Sequence, residues 1–212
     1  MRIFNLILSI KLFDLLLIFA PVSTVSAQYY SLKIYKETKS LEGESLNGYQ
    51  TQFLQPAGQV KKAWWKYIKS KAVISNHLSH YELKFPAGRF EKDTYALSVF
   101  EGNDTIDVSK LFVALKTDSL SSSDIDVLDS EIKSMLMDFK ISFFTSILQK
   151  QIKDQEKKAS QMSGQIEKLR KSKNKDNLSA EQIKAKEDGY LYSLNQIENN
   201  LDSLKIQLRK IK

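Results

Sequence analysis

The chain reads as an α+β protein: a largely antiparallel sheet covered by helices, followed by a long C-terminal antiparallel helical hairpin that forms a coiled coil. Three observations predict this. Between Tyr30 and Lys116, short runs with a period of two alternate with turn-forming residues around one helical repeat. From Ser123 onward the apolar period lengthens to three and four and persists to Ile211. Beyond Leu148 the apolar stripe narrows to the width that a single partner helix covers.

Met1 to Ala27 differs from everything after it. Arg2 precedes an apolar run strongest over Leu15 to Ala20, Pro21 breaks it, and the small residues Val25 and Ala27 flank Ser26. This pattern predicts a signal peptide cleaved after Ala27, and so an exported protein, periplasmic or secreted. Lys11 and Asp14 leave the apolar run short of the roughly 20 residues a membrane span needs, and no transmembrane span is expected in the mature chain.

In the mature chain, Tyr30 to Lys36 alternates as a strand does, a polar run over Glu37 to Asn47 reads as a connection, and Asn47-Gly48 leads into a second strand, Tyr49 to Leu54. Pro56-Ala57-Gly58 breaks that strand. Val60, Ala63, Trp64, Tyr67 and Ile68 then recur at helical spacing, which predicts a helix over Gly58 to Lys71. Trp64 and Trp65 cannot both face the core: Trp64 reads as core, and Trp65 either covers a boundary or is an exposed docking residue, which makes it a candidate binding residue. Three more strands are predicted at Tyr81 to Phe85, Thr94 to Phe100 and Thr105 to Lys116, the last two joined as a hairpin by Glu101-Gly102-Asn103-Asp104.

Ser122, Ser123 or Asp124 can cap the long helix that follows. Its first part carries a broad stripe, Val127, Leu128, Ile132, Met135, Leu136, Phe139, Phe143 and Phe144, suited to lying on a sheet. The seam continues through Leu148, Ile152, polar Gln155, Ala159, Met162, Ile166 and Leu169. Lys171 to Asn177 is turn-like, and Ser179 with Gln182 forms a capping box that restarts the helix. Tyr190, Leu194, Ile197, Leu201, Leu204, Leu208 and Ile211 complete the return seam. The expected domains are therefore a signal peptide over 1–27, an α+β domain over 28–147 and a helical hairpin over 148–212.

Composition narrows the function classes. The 212 residues, 42% hydrophobic and 27% charged, allow one moderate core. The absence of cysteine excludes disulfides, thiolate metal sites and a lipidated anchor cysteine. The net charge of +7 is spread along the chain rather than gathered into a nucleic-acid groove. The order of helix, three strands and helix is also that of double-stranded RNA-binding domains. Export and the acidic start of the long helix, Asp124, Asp126, Asp129 and Glu131, argue against that reading.

No catalytic constellation emerges. His77 and His80 fall between a helix and a strand with Glu82 the nearest carboxylate, which reads as a solvated loop rather than a metal site. The acidic pairs Glu91 with Asp93 and Asp104 with Asp107 lack a partner base or nucleophile. There is no phosphate-binding glycine loop and no serine-hydrolase elbow, and no cofactor is expected. The densest charge is the basic cluster at the hairpin tip, Lys168, Arg170, Lys171, Lys173 and Lys175.

The segment Val60-Lys61-Lys62-Ala63-Trp64-Trp65-Lys66-Tyr67-Ile68-Lys69 resembles the helix of a family of exported Bacteroidota proteins. Those proteins combine a signal peptide, a small α+β domain with a Trp-containing helix and a C-terminal coiled-coil hairpin. The resemblance implies architecture and an envelope address and brings no established activity with it. The expectation is thus a non-enzymatic protein-interaction or spacer module using the hairpin, with an envelope protein as partner. The alternative is an adhesive module that binds an anionic surface of envelope lipid or glycan through the basic tip. A monomer is favoured over a dimer because the polar link between the arms is short.

Overall fold

The computed structural model describes residues 30–86, 93–105, 107–117, 120–172 and 179–211, so the segment expected to be a signal peptide, 1–27, and Glu91, Lys173 and Lys175 lie outside it. Among the described residues the architecture is α+β, with a six-stranded antiparallel sheet and three helices. The described residues form two compact units, one over 30–145 and one over 146–211.

The first unit opens with a hairpin of β1 (Tyr35–Leu41) and β2 (Glu44–Phe53). This corrects the expectation of a strand from Tyr30 and a polar connection over Glu37 to Asn47. The Lys33 carbonyl accepts from the Thr51 hydroxyl (2.8 Å) and the Lys140 ammonium (3.2 Å) rather than from a sheet ladder, so pairing begins only at Tyr35. The polar run is itself an edge strand, solvated and cross-linked by Thr38 donating to Asn47 Oδ1 (2.7 Å). Its turn is Glu42-Gly43, with φ of 53° and 90°, the left-handed pair that a two-residue hairpin needs. Gly48 lies inside β2, where a Cβ would come 2.3 Å from the Val113 carbonyl oxygen on the neighbouring strand.

Helix α1 (Ala57–Ile68) follows, close to the expected limits. Pro56 at its N-cap has no hydrogen-bonding side chain to offer, and the Gly58 N–H instead donates to Asp104 Oδ1 (2.6 Å) from the loop between Glu101 and Ser109. A short strand, β3 (Val73–Asn76), precedes β4 (Tyr81–Phe85), β5 (Thr94–Glu101) and β6 (Ser109–Leu115). Four residues are too few to display a period, which is why β3 did not stand out. The β5–β6 hairpin forms as expected, with β6 starting later, at Ser109.

The strand order is β1-β2-β6-β5-β4-β3, with every pair antiparallel. Alternation along β6 sends Leu111 and Val113 to one face and Phe112 and Ala114 to the other, and all four are buried. On the first face Phe53 meets Phe139, Phe143 and Phe144 at 5.4–5.9 Å between ring centroids, and Trp64 meets Phe139 edge-on at 5.0 Å. On the second face Leu46, Leu97, Phe112 and Ala114 form a smaller core, with the Lys39 ammonium over the Phe112 ring. Full burial of each such large side chain contributes roughly 1.5–3 kcal/mol.

Helix α2 (Ser122–Ser172) starts one residue later than its cap: the Asp124 N–H donates to Ser121 Oγ (3.3 Å), so Ser121, not Ser122 or its successors, is the capping residue. Leu128, Ile132, Leu136, Phe139, Phe143 and Phe144 are buried as the broad stripe requires, whereas Val127 is 58% exposed. In the second unit, Leu148, Gln155 and Ile166 of α2 and Ile183, Ile197, Leu201, Leu204 and Ile211 of α3 (Ala180–Ile211) are the buried seam. Ser179 and Gln182 form the reciprocal capping box: the Gln182 N–H donates to Ser179 Oγ (3.2 Å) and the Ser179 N–H to Gln182 Oε1 (3.1 Å). Among the described residues, no helix is long and apolar enough to cross a membrane.

Candidate functional site

The hairpin end carries the candidate residues Lys168, Arg170 and Lys171, all exposed. Two of these cations are already matched. Arg170 reaches from α2 to α3, its Nε and Nη2 each 2.7 Å from Glu187 Oε1, and Lys171 lies 2.6 Å from Glu167 one turn earlier. The Lys171 ammonium holds the Glu167 carboxyl below its ordinary pKa, so the two charges offset each other locally. Lys168 has no ion pair among the described residues. The Arg170–Glu187 pair also fixes which turns of the two helices lie side by side.

Trp65 belongs to the other unit, on α1. It is 40% exposed and packs edge-on against Tyr81 at 5.3 Å, while the Lys61 ammonium lies 5.1 Å from the Tyr81 ring centre. The four-residue spacing puts Lys61 and Trp65 on one flank of α1, so Tyr81 is clasped between a cation and an indole. Trp64, one residue away, is buried, as the core assignment requires.

The histidine pair is not simply a solvated loop. His77 and His80 close the β3–β4 turn through the His77 N–H donating to the His80 carbonyl (2.9 Å), and their rings stack at 4.6 Å. His80 is buried. Its Nδ1 lies 3.0 Å from Ser79 Oγ and 3.6 Å from Glu42 Oε1, and Ser79 Oγ donates to the same Glu42 oxygen at 2.9 Å. With the hydroxyl proton committed to Glu42, the His80–Ser79 hydrogen bond requires a proton on Nδ1. Glu82 is drawn to Lys116 (2.8 Å), whose ammonium lowers its carboxyl pKa. Among the described residues, no group of three or more His, Asp or Glu side chains is arranged to hold a metal ion. Asp104 is committed to capping α1.

Lys140 is the buried polar residue that sequence reasoning passed over. It is 1% exposed, and its ammonium donates to the carbonyls of Lys33 and Gln52, both at 3.2 Å, and to the Thr51 hydroxyl. The rings of Phe53 and Phe144 face it at 5.3 and 5.7 Å. Three donors meet three acceptors, so the charge is held without a carboxylate, and burial lowers its pKa to about 8. The spacing Leu136, Lys140, Phe144 was the available signal, since it puts the lysine on the helix's buried face. The arrangement ties residue 33 and β2 to α2; it presents no nucleophile to solvent.

No family model, curated protein or solved structure matches this chain.

Proposed function

We propose that this is an exported, non-enzymatic interaction or spacer module of the cell envelope, akin to the Bacteroidota proteins whose tryptophan helix it resembles, and that the helical hairpin is its working element. The observation that carries the reading is the seam. Two long helices devote one narrow stripe to each other, from Leu148 to Ile166 and from Ile183 to Ile211, and leave the remaining faces largely polar, with Leu191, Tyr192 and Ile206 the large apolar side chains exposed on α3. That pattern gives reach and a long outer surface rather than an enclosed site. The export address rests on the Met1 to Ala27 pattern.

The adhesive reading has less support. Arg170 and Lys171 spend their charge on Glu187 and Glu167, and exposed pairs of this kind are screened further at physiological salt. The test replaces Leu201 and Leu204 together with lysine in the full chain. Helical circular dichroism should fall while the sheet signal persists, and any envelope partner recovered by cross-linking with the parent chain should be lost. A partner retained on an unzipped hairpin would remove the hairpin as the working element. Charge reversal at Lys168, Arg170 and Lys171 that abolished binding to anionic vesicles would favour the adhesive reading instead.

A further inference from the structure

A cavity of about 270 Å³ lies within the α+β unit, between the end of α1, the strand ends at Phe85, Thr94 and Leu115, and the first turns of α2. Its floor is apolar, with Phe85, Leu115 and Ile132 facing it. An apolar cavity of roughly 150 Å³ holds a benzene ring, so this one has room for a ring and a short polar arm. Its wall is braced, because the Tyr67 hydroxyl donates to the Met135 carbonyl (3.2 Å) and thereby ties α1 to α2 beside the opening. The site is therefore formed before any ligand arrives.

The rim is charged and unbalanced. Glu131 and Asp138 stand two turns apart on one flank of α2, and among the described residues neither is in an ion pair. Lys71 is the one cation among the described lining residues, its ammonium held 5.0 Å from the Tyr67 ring centre. Among the described lining residues, two carboxylates stand against one ammonium, one excess negative charge above an apolar floor. We propose that this cavity binds a small organic cation, an ammonium group on an aromatic or branched aliphatic body, with the ammonium at Glu131 and Asp138 and the body against Phe85, Leu115 and Ile132.

The test uses the full chain and three probes of one shape: 2-phenylethylamine, 2-phenylethanol and phenylacetate, titrated by calorimetry and by ligand-observed NMR. The amine should bind at least tenfold more tightly than the alcohol or the acid. The isosteric pair Glu131→Gln with Asp138→Asn should abolish that preference while leaving thermal unfolding unchanged, and Lys71→Met should tighten the amine about threefold by removing a like charge. Equal binding of the three probes, preference for the acid, or no binding of the amine at millimolar concentration would overturn the proposal. So would an amine preference that survives the double substitution.

Discussion

Ser79 donates a 2.9 Å hydrogen bond to Glu42, and the two residues sit in hairpin turns at opposite edges of the same six-stranded sheet. A flat sheet would hold β1 and β3 apart with four strands between them, so this contact requires the sheet to curl until its edge hairpins meet. The curl encloses the second core of Leu46, Leu97, Phe112 and Ala114. The link should therefore show energetic coupling. In a double-mutant cycle of Ser79→Ala and Glu42→Asn, the coupling should be about 0.5–1.5 kcal/mol, the net value of one hydrogen bond. Asparagine keeps the left-handed turn favourable but cannot reach Ser79, so a coupling of zero by urea denaturation would mean the contact does not hold the edges together.

Gly48→Ala should be among the most damaging single changes. The added Cβ would fall 2.3 Å from the Val113 carbonyl oxygen and 2.8 Å from the Ala114 Cα, both backbone, at the Gly48–Ala114 end of the β2–β6 ladder, where Gly48 also pairs with Glu37 of β1. Strand separation is set by the ladder and cannot widen locally without losing hydrogen bonds, so a loss of about 3 kcal/mol is expected. The check is the shift in chemical-denaturation midpoint. A loss under about 1 kcal/mol would show that β2 and β6 are not packed this closely.

These two sites mark where the fold could and could not be read in advance. The Ser179–Gln182 box, the α1 repeat around Trp64 and the α3 seam were legible because each is a local rule with a fixed spacing. The β1–β2 hairpin was not, because Glu42 is a poor turn-former in isolation and a solvated edge strand has no apolar alternation to display. Lys140 was missed because a lysine is ordinarily read as surface, although it lies one turn from both Leu136 and Phe144. Of the proposed contact residues, exposure at Trp65 could be anticipated from its neighbour; pairing of Arg170 with Glu187 depends on the register of two helices, which a heptad stripe leaves open.

The hairpin carries three places where stability was left unclaimed. Gly164 and Gly189 lie within helices, and a Cβ at either meets nothing within 4 Å. Alanine at each should stabilise by about 0.5–1 kcal/mol through helix propensity and a less free unfolded chain. Gln155 is buried in the seam with its Oε1 unpaired, so Gln155→Leu should add about 1 kcal/mol. A lone polar seam residue can also specify register, and the leucine variant should be examined by size-exclusion chromatography with light scattering. No gain in helix melting temperature from the triple variant would contradict the helical assignment of these positions.

The last prediction concerns alkaline pH. Burial lowers the Lys140 pKa from 10.5 to about 8, so between those values the unfolded chain binds this proton more tightly than the folded one. Below pH 8 both states carry the charge and the folded state bears its full desolvation cost. As pH rises from about 8 to 10.5 that cost disappears, and the contribution of this group shifts in favour of folding by about 3 kcal/mol. Other groups titrate in the same window, among them Tyr49, whose phenol is raised by burial and then by its hydrogen bond to Asp129, so the comparison must be differential. Lys140→Met supplies it: methionine follows the same path between Phe53 and Phe144 without a titrating group. At pH 7 the variant should lose about 1–3 kcal/mol, because the Lys33 and Gln52 carbonyls lose a charged donor, net of the desolvation relieved. Urea midpoints of the two proteins, measured from pH 7 to 10.5, should then diverge in favour of the parent as pH rises. Parallel curves would show that Lys140 keeps an ordinary pKa, and that its three oxygen acceptors and two ring faces compensate its burial completely.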